Sequence, residues 1–462
     1  MDIWDYSFWD FYVQLGILMV AILVANTLRR KIPFIRKSLL PSSVMGGLMV
    51  LILRFIPAFD RLINQEFMTN AAFHMLGLGF IAISLKKSDN VADKAEKGVV
   101  PKTGALVVST YLLQAILGLA ITIPLSLGMN ELLAASGLIL ALGYGQGTGQ
   151  ALAWGRTYET QYGFSGGASF GLTIATVGFI VACVFGAIYL NILKAQKKVT
   201  AGNAKSAETL EKVYDPNDIP LSESIDKFTV QAALILAIYL MAFLFMQGLT
   251  LMLDAGWLGD FGIKTVKPLI WGFYFLFGTL LALLTKRVIF KLRKSNVMTR
   301  EYPNNFLLNR AAGFIFDLMV LAGCAAIQFE TIKGLLLPIV LLCAVGLVAT
   351  FIYLDIVCKR LYPTYRYEAM VSLFGMLTGT ASTGMILLRE IDPNFETPAA
   401  NNLVLQNLFA IMFGFPLMLL LGYAPWGTAQ SLITGGILIV MFIAFNFFIF
   451  AKRKAKPAGP LG

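Results

Sequence analysis

Long apolar runs of about 18–25 residues, long enough to cross a bilayer core as helix, alternate with short polar stretches along this chain. They lie at 11–28, 39–57, 67–85, 103–127, 164–190, 228–253, 267–290, 310–328, 334–356, 401–421 and 429–451, and predict about 11 spans. Two segments, 134–158 and 368–391, break the pattern. Each has an apolar limb, a tip of small polar residues, a second limb and an Arg near the exit; Gly147-Thr148 and Gly379-Thr380 are the corresponding tips. A limb of about 10–12 residues makes roughly 15–18 Å of helix, half a bilayer. Such limbs predict re-entrant hairpins, one from each face, with tips that meet near the midplane.

The longest polar stretch, 191–227, reads as a connector. Five spans precede it, so the following spans begin from the opposite side, which is the arithmetic of an inverted repeat. The expected division is a first repeat at 1–190, the connector at 191–227, a second repeat at 228–421, and an extra span with a basic tail at 422–462. Pro41 followed by Gly46-Gly47 has a counterpart in Pro268 followed by Gly272. The fold class is an all-α polytopic membrane protein.

Composition agrees. Hydrophobic residues make up 57% of the 462 and charged residues 14%, against about 25% charged in globular chains. A soluble enzyme, a disordered chain and a disulfide scaffold are excluded. The net charge of +11 is topological: 30 of the 37 Lys and Arg fall in alternate loops and four in the opposite ones. By the positive-inside rule the N-terminus is outside and the tail from Lys452 cytoplasmic, and nucleic acid is not a partner. The first ten residues carry Asp2, Asp5 and Asp10 rather than a basic leader, so the first span is expected to be retained. Cys183, Cys324, Cys343 and Cys358 lack metal-ligand spacing and read as apolar fillers.

The tips hold the candidate chemistry. Non-helical backbone at membrane depth is tolerated only against protein or a water-filled cavity. Beyond each tip a helix begins whose free N–H groups favour an anion such as a carboxylate, while the carbonyls of the incoming limbs suit Na⁺. Gly145, Gln146, Gly147, Thr148, Gly149, Gln150, Thr378, Gly379, Thr380, Ser382 and Thr383 are the candidate substrate ligands, with Thr148, Thr380 and the intramembrane Asp317 as candidate Na⁺ ligands. Thr173, Thr176, Asn402, Gln406, Asn407, Arg156 and Arg389 form a second rank of lining residues. His74 reads as a packing histidine or a proton-coupling group. Tight helix packing is the competing explanation for the glycines.

The stretch GYGQGTGQALAWGRTYETQYGF and the following ATVGF resemble the first signature region of the bacterial glutamate:sodium symporter family. Gly145, Gly147, Thr148, Gly149, Trp154, Tyr162, Gly163, Phe164, Ala175, Thr176 and Gly178 match its pattern, as do Pro41, Val44, Gly46 and Gly47. The order of spans fits over 11–421. The second tip, Leu377 through Gly384, is poorer in Gly and richer in hydroxyls than the family's, two residues are inserted after the first tip, and an eleventh span follows the usual ten. The resemblance implies two inverted five-span repeats, Na⁺-coupled uptake of glutamate with Na⁺ as coupling ion, a homodimer in the bacterial inner membrane, and an elevator-type moving core. That core would combine the hairpins with spans 3–5 and 8–10 against a scaffold of spans 1, 2, 6 and 7. Another carboxylate or amino acid as substrate, and a channel built on re-entrant loops, remain open alternatives; an enzyme is not expected.

Overall fold

The computed structural model describes residues 3–33, 35, 39–86, 98–199, 227–295, 297, 302–393 and 396–451. Most of the expected 191–227 connector and the tail from Lys452 lie outside the described residues. Those described are helical, with no strand among them, as the need to satisfy every backbone N–H and C=O within lipid requires. The main helices are α1 (Tyr6–Lys31), α2 (Ser42–Leu53), α3 (Gln65–Leu85), α4 (Val100–Ser126), α5 (Ile139–Gln146), α6 (Thr148–Tyr162), α7 (Gly167–Ala195) and α8 (Lys227–Asp254). They continue with α9 (Lys267–Gly272), α10 (Tyr274–Lys294), α11 (Asn305–Ala325), α12 (Leu336–Leu361), α13 (Arg366–Thr378), α14 (Ala381–Arg389), α15 (Ala399–Tyr423) and α16 (Thr428–Phe450).

Among the described residues, nine helical stretches are long and apolar enough to cross a membrane. Two predicted windows take a different form. Window 39–57 becomes the 12-residue α2, which stops before Arg54. The Arg54 guanidinium donates to the carbonyls of Ala325 (3.3 Å) and Ile327 (3.2 Å) and to Asp60 (3.2 Å), so the chain turns there instead of continuing. Window 267–290 is interrupted at Phe273, which separates the six-residue α9 from the 21-residue α10.

One end of the molecule is basic. Lys or Arg occupies the last turn of α1, α7, α10 and α12, favourable against the helix dipole. Lysines also join helices there: Lys102 donates to the carbonyls of Ile449 and Ala451 (2.9 and 2.8 Å), and Lys286 to those of Ser84 and Lys86 (3.0 and 2.9 Å). At the other end Gln14 donates to the Leu62 carbonyl, Gln65 to that of Ala326, and Tyr158 to that of Leu421.

The helices fall into two packed groups. In the first, α2 lies on α1 and α11, α3 on α10 and α11, and α8 on α10. In the second, α4 is surrounded by α12, α15, α16 and the short helices α5 and α13, with α7 against α5, α6 and α13. α3 and α11, expected as spans 3 and 8 of a moving core, pack with the first group, and α6 forms much of the seam by touching both. The burial gradient follows. In α5 every residue but Gln146 is buried, whereas α1, α8 and α16 leave Leu23, Leu240 and Phe447 exposed.

Candidate functional site

Both irregular segments are broken helices. α5 ends at Gln146 and α6 begins at Thr148, with Gly147 between them at φ 81°, ψ −170°, a backbone region that only glycine adopts readily. α13 ends at Thr378; Gly379 and Thr380 are non-helical, and Thr380 caps α14 by accepting from the Thr383 N–H at 3.4 Å. The two breaks lie side by side. A Cβ placed on Gly147 would lie 3.5 Å from Thr380 Cγ2 and 3.9 Å from the Gly379 carbonyl oxygen. They arrive from opposite ends: Tyr158 and Tyr162, at the outer end of α6, bond Leu421 and Gly422, whereas Glu390, just past α14, pairs with Lys194 of the basic end at 3.5 Å.

Two helix N-termini therefore approach each other, the buried start of α6 and the start of α14, where Thr380 is half-buried and Ala381 and Ser382 are exposed, and their partial positive charges and free N–H groups favour an anion at this point. The polar side chains around it are undersatisfied. Thr148 is 0% exposed and Gln150 1%, yet Thr148 Oγ1 and both ends of the Gln150 carboxamide have no hydrogen-bond partner among the described residues. Buried polar groups are nearly always paired, so two such residues within one turn of a helix start mark a place where a polar ligand completes the set. The orphaned hydroxyl and carboxamide carbonyl are hard oxygen donors of the kind Na⁺ takes.

The remaining predicted residues separate into those brought to this point and those held elsewhere. Gly145, Gly149, Thr378, Gly379 and Thr383 are buried around the tips, Gln146 and Thr380 are half-buried, and Ser382 is exposed. Thr378 gives its hydroxyl to Phe374, and Gly178 leaves room for the Thr378 carbonyl, which would stand 2.5 Å from a Cβ there. Asp317 faces Ser43 of α2. Met319 and Gly323, two and six residues further on and about 200° and 240° round α11, turn its opposite side to Gly149 and Thr148. Thr176 bonds Cys324 Sγ at 3.3 Å, Thr173 bonds back to Ser169, and Arg156 reaches Asn70 at 3.2 Å. Asn407 and Arg389 are exposed, while Asn402 and Gln406 are buried on α15. His74 meets the Tyr239 hydroxyl at 2.7 Å, away from the tips.

Two residues absent from the sequence prediction hold the tips in place. Tyr111 donates its hydroxyl to the Gly145 carbonyl at 3.1 Å, and Gln114 donates to the Leu377 carbonyl and to Thr350 Oγ1, both at 2.9 Å. Three residues apart, they share one face of α4, which thereby ties the last carbonyls of both incoming limbs to a single rod. The available signal was a Tyr and a Gln at helical spacing inside an apolar span.

Opposed broken helices meeting at a buried polar point inside a bundle of apolar spans define a multi-pass membrane transporter. The family model of the sodium/glutamate symporters matches residues 9–396, and the chain belongs to that family. Its activity is accordingly of the Na⁺-coupled glutamate symport class, with Na⁺ as the coupling ion and a small solute as cargo. Among curated proteins none matches the chain.

Proposed function

We propose that the protein carries glutamate and Na⁺ together by an elevator-type alternating-access mechanism, with the site at the junction of the two tips. The observation that carries this reading is the close approach of Gly147 to Thr380 beside the unpartnered Thr148 and Gln150. Gly145 to Gln150, Thr378, Gly379, Thr380 and Thr383 form the pocket. The substrate carboxylates face the N-termini of α6 and α14, and Na⁺ takes hydroxyl and carbonyl oxygens from Thr148, Thr380 and the limb ends. An uncompensated charge is costly to move through a membrane, so the moving group crosses only when both are bound.

The moving group in this reading is α4–α7 with α12–α16, and the frame is α1–α3 with α8–α11. This places α3 and α11 in the frame, following their packing rather than their order along the chain. Corresponding elements in the two halves support an inverted repeat: α3 and α11 both start on an Asn cap, Asn64 and Asn304, and each half carries one broken hairpin. The basic end faces the cytoplasm of a bacterial inner membrane, and the frame provides the surface for a homodimer.

Purified protein in liposomes will accumulate labelled glutamate under an inward Na⁺ gradient, and uptake will collapse when choline replaces Na⁺. Thr148→Ala and Thr380→Ala will reduce uptake far more than Cys343→Ala. Accumulation that ignores Na⁺ would refute the coupling, and equal effects of the three substitutions would refute the tip site.

A further inference from the structure

α16 lies beyond the residues matched by the family model and packs along α4. From Gly435 to Phe450 its one polar side chain is Asn446. That amide closes a ring of hydrogen bonds over three helices. Asn446 Nδ2 donates to Ser109 Oγ of α4 at 3.1 Å, and Tyr353 of α12 donates its hydroxyl to Asn446 Oδ1 at 3.0 Å. Ser109 Oγ and the Tyr353 hydroxyl lie 2.6 Å apart. Because the Tyr353 hydrogen is committed to Asn446, it is Ser109 that donates to Tyr353. Each of the three side chains thus both gives and accepts, an arrangement in which neighbouring bonds strengthen one another.

The ring is the middle one of three polar rungs between α4 and α12, which run antiparallel. Thr103 meets Tyr362 at 2.8 Å, Ser109 meets Tyr353, and Gln114 donates to Thr350 Oγ1 at 2.9 Å. The first and last rungs stand about 16 Å apart along α4. Thr103, Ser109, Gln114, Thr350 and Tyr362 are all buried. Within lipid, an apolar side chain gains little from facing a helix rather than the tails, so hydrogen bonds between helices weigh more in setting their register. The last rung bears on the tips, because the same Gln114 amide nitrogen donates to the Leu377 carbonyl at 2.9 Å. A slip of α12 along α4 takes Thr350 away from Gln114 and lets that amide swing off Leu377.

We propose that Asn446 is a positioning residue for transport: from the extra span it locks α4 to α12 in register, and through Gln114 it holds the end of the second incoming limb where the ligand meets it. This rests on the tips being the transport site, and gives α16 a part in that site although it supplies none of its residues.

The test measures half-saturating glutamate for the full-length protein in liposomes, beside its thermal unfolding. Asn446→Leu, and the milder Tyr353→Phe, which removes one oxygen from the ring, should raise half-saturating glutamate about tenfold. The isosteric Asn446→Asp, which when protonated keeps a donor and an acceptor in place, should stay near the wild-type value. Leu438→Ala, at a buried apolar position of α16, should lower the melting temperature without moving half-saturating glutamate. Half-saturation unmoved by Asn446→Leu and Tyr353→Phe, or moved as far by Leu438→Ala, would overturn the proposal and leave the ring a packing device. A second readout does not depend on transport. The melting-temperature losses of Asn446→Leu and Gln114→Leu should be non-additive in the double variant, since both act on one register; additive losses would overturn the proposal. Uptake indifferent to Thr148→Ala would refute the tip site, while the double variant still decides the register.

Discussion

Thr148 and Gln150 bury polar atoms that find no partner among the described residues, an arrangement that lowers stability and gains only when a ligand arrives. Thr148→Val and Gln150→Leu should therefore leave the melting temperature unchanged or raise it, by about 1 kcal/mol of stability, while glutamate uptake falls at least about tenfold. A combined loss of stability and uptake would show these side chains to be structural. Gln114→Leu should behave in the opposite way on stability, because it strips the Leu377 carbonyl and Thr350 of a donor, lowering it by about 1–3 kcal/mol. Thr148 and Gln150 are legible in the sequence because they stand in a glycine-rich polar island within an apolar chain. Tyr111 and Gln114 are not, since the carbonyls they bind lie 34 and 263 residues away. Ser382 and Thr383 show the limit of reading a tip without its register: adjacent hydroxyls, one exposed and the other buried, separated by the 100° turn of a single helical step.

At the level of elements, hydropathy locates the long helices because their length is imposed by the bilayer. It misses α2 and the α9–α10 break, where tertiary contacts decide. Arg54 ends α2 by reaching carbonyls 271 and 273 residues further along the chain, and Trp154 packs against Gly272 and, at 5.2 Å between ring centroids, against Phe273. Neither contact leaves a local signature. Arg54→Met should destabilise the protein by about 1–3 kcal/mol, the value of charge-assisted bonds to carbonyls, with half-saturating glutamate preserved. A large change in glutamate affinity without loss of stability would mean that Arg54 serves the solute and not the helix end.

On the scale of the whole molecule, the chain order suggests which spans are similar but not which spans move together. α3 and α11 follow the same pattern as their neighbours in sequence, yet they pack against α2 and α10. The seam itself is testable. A Cβ on Gly422 of α15 would lie 3.1 Å from Leu269 Cγ of α9, within reach of a disulfide after both positions become Cys. In a background with the four native cysteines replaced, oxidised Leu269→Cys/Gly422→Cys protein should stop transporting and recover on reduction. Cross-linked protein that transports as fast as the reduced form would exclude relative motion of the two groups at this point.

The meeting of Gly147 with Thr380 also bears on biogenesis. The first loop is made long before Gly379 and Thr380, which cover one side of it, and peptide groups left bare are expensive in hydrocarbon, several kcal/mol each. A half-made chain thus holds that loop against Tyr111 and Phe179, with one side uncovered until the later hairpin emerges.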